Sequence, residues 1–308
     1  LSTSSERIDP ACPHFMSCGG CSLQHWQAQA YQDWKVAQIR QHLSRVGIDK
    51  PPLSPLVIAE LGTRRRADLA VRRLSDRTVL GFHERGGTRI VTLDTCPVLT
   101  PPLQALLHPF SDRMNDALAP GEGGDVILNH LHTGVDALVV LPRSPDLAER
   151  EAWAAFAQAE GLARLSLRIS GDEDPSPEPL AARGPATIRL GGADVTPPPG
   201  AFLQATASGE AAIRDTVIDA ARKAGRRLDL FAGIGTLSLP LVDGGQVLAV
   251  DGDGPAIAAL RAAADGAGIG GRLATNQRDL FRTPLEGEEL DGFDIAVFDP
   301  PRAGAKAQ

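Results

Sequence analysis

The sequence predicts an α/β protein in which a doubly wound parallel domain over residues 196–308 follows a mixed α+β domain over residues 1–195. Three observations predict it. After residue 200, apolar strand-like runs alternate with helical stretches, the pattern of a parallel sheet with crossover helices. Before that, short Val-, Leu- and Ile-rich segments alternate with polar positions and are punctuated by glycine, as antiparallel strands are. Three of the four cysteines, Cys12, Cys18 and Cys21, fall within CPHFMSCGGC, so the first domain is expected to carry a metal-ligating thiol cluster.

Taken in order, LSTSSERIDP lacks the apolar core of a secretory signal and begins with Leu1, so a longer natural N-terminus is expected. Ala30, Trp34, Ala37, Ile39 and Leu43 recur at helical spacing up to Gly47 and predict a helix. RRRADLAVRRL, TVLGFHER and TRIVTL predict strands of an antiparallel sheet, and GDVILNHLHTGVDALVVL and LARLSLRIS add more. Residues 172–185 (DEDPSPEPLAARGP) break all periodicity and read as a surface loop. Then GEAAIRDTVIDAARKAG (helix), RRLDLFAGIG (strand and glycine turn), TLSLPLVDGG (helix), QVLAVDGDG (strand), PAIAALRAAADGAGI (helix), RLATNQRDLF and GFDIAVFDPPR (strand ends) set out the doubly wound part.

A chain that is 43% hydrophobic can bury a sizeable core, and no run of about 18 apolar residues offers a membrane span, so the chain reads as soluble with no membrane partner; a cytoplasmic location and a monomer are separate expectations. The net charge of −7 argues against a broad nucleic-acid-binding surface. Residues 61–90 depart from it, with eight arginines against three acids, a local balance of +5. Such a patch on an acidic protein suits steering a polyanion to one face, and Arg64, Arg65, Arg66, Arg72 and Arg73 are its candidate RNA contacts. A solvated arginine face is the alternative.

In DLFAGIG, Gly233 and Gly235 follow an apolar strand, where missing side chains let a ligand approach the next helix N-terminus. Asp251 ends the following strand, placed to accept both hydroxyls of an adenosine ribose. Leu237 and Ser238 occupy the place of a third glycine, so a nucleoside without a pyrophosphate, such as S-adenosylmethionine, fits better than a dinucleotide. Asp299 in FDPPRAG ends a further strand, where open α/β sheets place their chemistry. The cysteine spacing, with Cys96 of DTCPVL as a distant fourth, suits zinc or iron–sulfur ligation better than disulfides.

In this order CPHFMSCGGCSLQH, RRRADLAV, LGFHERG, DTCPVL, PPGAFLQ, DLFAGIGTLSLPL and FDPPRAGAKAQ span almost the whole chain and resemble the bacterial RNA uracil-5 methyltransferases that carry an iron–sulfur cluster. The 23S ribosomal RNA enzymes are the most similar type, because the tRNA-modifying branch generally lacks the cluster cysteines. The resemblance implies a Rossmann-like class I methyltransferase domain and 23S rRNA as substrate. It also implies a [4Fe–4S] cluster on Cys12, Cys18, Cys21 and Cys96, and S-adenosylmethionine contacts from Gln204, Phe231, Thr236, Asp251 and Asp299. Ala232 and Thr236 depart from the family's usual FCGMGNF-like turn, Thr236 keeping a hydrogen-bonding group. The implied chemistry begins with a cysteine thiolate adding to uracil C6. The resulting enolate takes the methyl group from sulfur, and a base then removes the C5 proton as the thiol leaves, all after the uracil has left its stack.

The family's nucleophilic cysteine and glutamate base follow DPPRAG, so both are expected beyond Gln308 and no catalytic residue within this chain; the methyltransferase domain is expected to be truncated. The small TRAM RNA-binding barrel that often precedes the cluster is not found either. Two alternatives remain at this point: a zinc-stapled class I RNA methyltransferase with another base target, and a nonenzymatic RNA-binding module.

Overall fold

A computed structural model describes residues 4–171, 176–302, 304–306 and 308. The chain divides into two compact units, residues 1–64 with 68–126, and residues 65–67 with 127–308.

The first unit holds helix α1 (Ala28–Arg45) and strand β1 (Arg66–Arg73) from Asp68 onward. Strands β2 (Thr78–His83) and β3 (Ile90–Thr92), helices α2 (Pro101–Ala105) and α3 (Leu107–Ala117), and the start of β4 (Gly123–Leu131) follow. β2 pairs antiparallel with both β1 and β3. Period-two patterning buries Leu69 and Val71 and leaves Asp68 and Arg72 exposed. Leu107, Phe110 and Met114 form the apolar stripe of α3. α1 ends as expected with Gly47 at φ +86°. None of its residues is buried, however, so its apolar spacing does not build a core face. Trp26, Tyr31 and Trp34 instead pack on one another, with ring centroids 5.6–6.3 Å apart.

In the second unit β5 (Gly134–Leu141) is followed by α4 (Leu147–Ala159), which a reciprocal Asp146–Glu149 capping box starts. β6 (Arg164–Ile169) runs parallel to β5, and β7 (Glu178–Ala182) antiparallel to β6. β7 is a correction: it occupies part of the stretch expected to be loop. Its pairing is interrupted by a register shift at Leu165/Ser166, which is why no strand periodicity is legible there; residues 172–175 lie outside the described residues. A short hairpin, β8 (Ile188–Leu190) and β9 (Ala193–Val195), leads to α5 (Ala207–Ala220), β10 (Arg226–Leu230), α6 (Ser238–Leu241), β11 (Gln246–Asp251), α7 (Gly254–Gly266), β12 (Leu273–Gln277) and β13 (Ile295–Phe298).

The last four strands are parallel in the order β12-β11-β10-β13, the predicted doubly wound arrangement. The compact units do not divide at residue 195. Leu131, Ala163, Ile188, Leu190 and Val195 are buried in the same hydrophobic core as Leu239, Val247, Ile257 and Leu260, so the residues before 196 fold with the doubly wound sheet. Among the described residues no helix is long and apolar enough to cross a membrane.

Candidate functional site

Winding outward from β10, with β11 and β12 on one side and β13 on the other, opens a crevice at the strands' carboxyl ends. A pocket there is lined by the turn after β10, by Asp253 after β11 and by Asp299 after β13. Phe202, Gln204 and Glu210 supply another wall.

The turn is conformationally costly. Phe231 adopts φ +63°, the left-handed region that a non-glycine residue rarely enters, and Gly233 and Gly235 follow at +54° and +90°. Phe281 and Phe298 hold the Phe231 ring at centroid distances of 5.5 and 5.7 Å. Gly233 is open on its Cα side, as a ligand-facing glycine must be, whereas a Cβ on Gly235 would lie 2.3 Å from Leu260 Cδ1.

Five predicted cofactor residues, Gln204, Phe231, Gly233, Thr236 and Asp299, line this pocket. Asp251 and Gly235 support the turn instead. Asp251 accepts from the Gly233 N–H at 2.8 Å and the Asp253 N–H at 2.8 Å, and so ties the glycine turn to the start of α7.

Asp229, Asp253, Phe202 and Glu210 line the pocket without having been singled out as site residues. Asp253 had a local signal: an acid before Gly-Pro is a helix N-cap, and it accepts from the Ala256 N–H. Glu210 had none, because a carboxylate in the first turn of a helix reads as solvated until its neighbours are known. Asp229 is fully buried in β10 and accepts from the Ser238 hydroxyl. Burial pushes its carboxyl up to about 7; the Ser238 hydrogen bond opposes the rise, and the charges of Asp299 and Asp251 add to it.

In the first unit all four cysteines line a single cavity of about 150 Å³, together with Phe15, Phe82 and Leu93. The N-terminal segment is laced to the β2–β3 hairpin: the Gly19 N–H donates to the His83 carbonyl at 2.8 Å, and Arg85 donates to the Cys21 carbonyl at 2.9 Å. Burial raises the Cys18 and Cys96 thiols, and the other thiols add to it, Cys12 and Cys21 in both cases. Cys12 and Cys21 thus act on both Cys18 and Cys96 across this space. Among the described residues no group of three or more His, Cys, Asp or Glu is disposed to hold a metal ion.

The arginine patch is not uniform. Arg64 and Arg72 are exposed, and Arg66 and Arg73 are half-buried. The Arg66 guanidinium lies over the Phe202 ring, 5.2 Å from its centroid, and Arg73 donates to the Leu74 carbonyl at 3.0 Å. Arg65 corrects the expectation of an RNA contact. It lies just before β1, is 6% exposed, ion-paired with Glu210 and hydrogen-bonded to the Gln204 carbonyl, because its side chain meets a buried carboxylate there.

No family model matches the chain. It is 38% identical over 309 residues to an uncharacterized RNA methyltransferase of Mesorhizobium japonicum, covering 100% of this chain and 72% of that protein. A similar protein of Caulobacter vibrioides is 38% identical over 315 residues, covering 100% and 74%. A 23S rRNA (uracil(1939)-C(5))-methyltransferase of Halomonas elongata is 36% identical over 329 residues, covering 100% and 66%. Among solved structures, a Pyrococcus abyssi tRNA (uracil-54, C5)-methyltransferase in complex with S-adenosyl-L-homocysteine superposes with a TM-score of 0.71 at 21% identity, over 99% of this chain and 72% of that one.

Proposed function

Because the chain belongs to the RNA methyltransferases, we propose that it is of the uracil-5 type and contributes the cofactor and RNA-positioning parts of an enzyme that methylates C5 of a uridine in 23S rRNA. It is an RNA methyltransferase rather than a nonenzymatic module. The observation that carries the cofactor reading is the pocket at the switch point, where a left-handed Phe231, the open Gly233 and the carboxylates of Asp253 and Asp299 converge. S-adenosylmethionine supplies the methyl group there. The chain's own residues orient it: carboxylates suit its ribose and amino groups, and Phe231 and Ile234 offer apolar walls.

The iron–sulfur reading rests on the chemistry of the donor set, four thiols of Cys12, Cys18, Cys21 and Cys96 lining one cavity, and it requires them to draw together, since as they stand no three of the described residues are disposed to hold a metal ion. Bound there, the cluster would staple the N-terminal segment to the β2–β3 hairpin. Arg64, Arg66, Arg72 and Arg73 then supply the phosphate contacts.

Among the described residues no cysteine lines the cofactor pocket, so this chain brings no thiolate there to add to C6. With labelled S-adenosylmethionine and unmodified ribosomal RNA it should bind the cofactor and transfer no methyl; turnover would refute the mechanism. Mapping 5-methyluridine in 23S rRNA from a strain lacking the gene should reveal one missing modification, and an unchanged map would overturn the substrate.

A further inference from the structure

Residues 197–205 form the pocket wall that carries Ala201, Phe202 and Gln204, yet they run as neither helix nor strand. Three prolines, Pro197, Pro198 and Pro199, leave this stretch short of N–H donors of its own, and its inward carbonyls need partners from elsewhere. Side chains provide them. Arg164, held by Asp136 at 2.7 and 2.9 Å, donates to the Pro197 carbonyl at 2.8 Å. Asn129 donates to the Ala201 carbonyl at 3.0 Å. Arg65 closes the series: its Nε donates to the Gln204 carbonyl at 3.0 Å, its backbone N–H to the Ala205 carbonyl at 2.9 Å, and its Nη2 pairs with Glu210.

On the reading of this pocket as the S-adenosylmethionine site, on which this rests, we propose that Arg65 is a positioning residue that sets the cofactor-facing geometry of Gln204. The guanidinium bonds two groups at once, the carbonyl of Gln204 and the carboxylate of Glu210 in the first turn of α5. It thereby fixes where the irregular wall joins the helix. A planar fork can span both; an ammonium has donors enough for both but carries them on a flexible stem with no fixed geometry, so it does not hold the two acceptors at a set spacing. Arg65 and Glu210 are both buried, 6% and 8% exposed, so the pair is also insulated from solvent competition. A purely stabilising ion pair would need only the charge, whereas positioning needs the second bond.

The test is calorimetric titration of the unsubstituted chain and its variants with S-adenosylhomocysteine, alongside their thermal midpoints. Arg65→Lys keeps the charge opposite Glu210 and loses the fork. It should retain a cooperative unfolding transition while binding about tenfold more weakly, the effect of one hydrogen bond mispositioned at the ligand wall. Should the lysine variant not fold, Arg65→Met is compared in a Glu210→Gln background, where no carboxylate is left unpaired, and the same loss of about tenfold relative to Glu210→Gln alone is expected. Affinity within twofold in the folded comparison would overturn the proposal and leave Arg65 a stabilising residue only. Failure of the unsubstituted chain to bind would overturn the cofactor reading and this assignment with it.

Discussion

Asp229 is the carboxylate whose behaviour the structure specifies most sharply. It is 1% exposed, and its carboxyl is displaced from 3.8 to about 7. A folded pKa above the unfolded value means that the native state holds the proton more tightly. This group's contribution to stability is therefore intact below about pH 4, falls as pH rises, and reaches its full penalty just above pH 7. The displacement corresponds to about 4 kcal/mol on the ionised form, an upper value because the Ser238 hydroxyl and the pocket can relax around the charge. Asp229→Asn removes the titration, and its Oδ1 can still accept from Ser238. Urea unfolding of parent and variant at about pH 5 and about pH 8 should show the variant gaining on the parent by about 2–3 kcal/mol between the two. A gap that stays constant across that interval would refute the assignment of a neutral, buried Asp229 and, with it, the protonation state of the pocket floor.

Other consequences are open to direct measurement. Gly235→Ala would force a Cβ to within 2.3 Å of Leu260 Cδ1 at φ +90°, and should cost about 2–4 kcal/mol in urea unfolding; an unaltered midpoint would mean that the turn is not as tight as described. Replacing Arg64 and Arg72 together with alanine should lower the salt slope of RNA binding by about one to two, whereas an unchanged slope would reduce both to a solvated face. Protein purified without oxygen should contain iron and acid-labile sulfide, and Cys96→Ser should lose both. Stoichiometric zinc without sulfide would overturn the cluster and favour a zinc staple.

Much of this was legible in the residues because it depends on local physics. The doubly wound sheet followed from alternating apolar strands and helices, and the glycine turn from Gly233 and Gly235 immediately after β10. Asp251 and Asp299 could be placed at strand ends because strand C-termini converge in such sheets. The four cysteines were recognisable as a set because thiols are otherwise missing from the sequence.

What only the tertiary structure decided concerns groups whose meaning depends on distant partners. Arg65 sits in a run of three arginines and is indistinguishable from Arg64 and Arg66 in sequence, yet it is buried because a carboxylate 145 positions away and the Gln204 carbonyl meet it there. The boundary expected at residue 195 gave way for a related reason. Composition changes where strand–helix alternation begins, but Leu131, Ile188 and Val195 belong to the core that Val247 and Ile257 complete, and cores form by proximity rather than by chain order. Periodicity and turn chemistry act over a few residues and can be read along the chain; ion pairing and burial of polar groups act across space and exist only once the chain has folded.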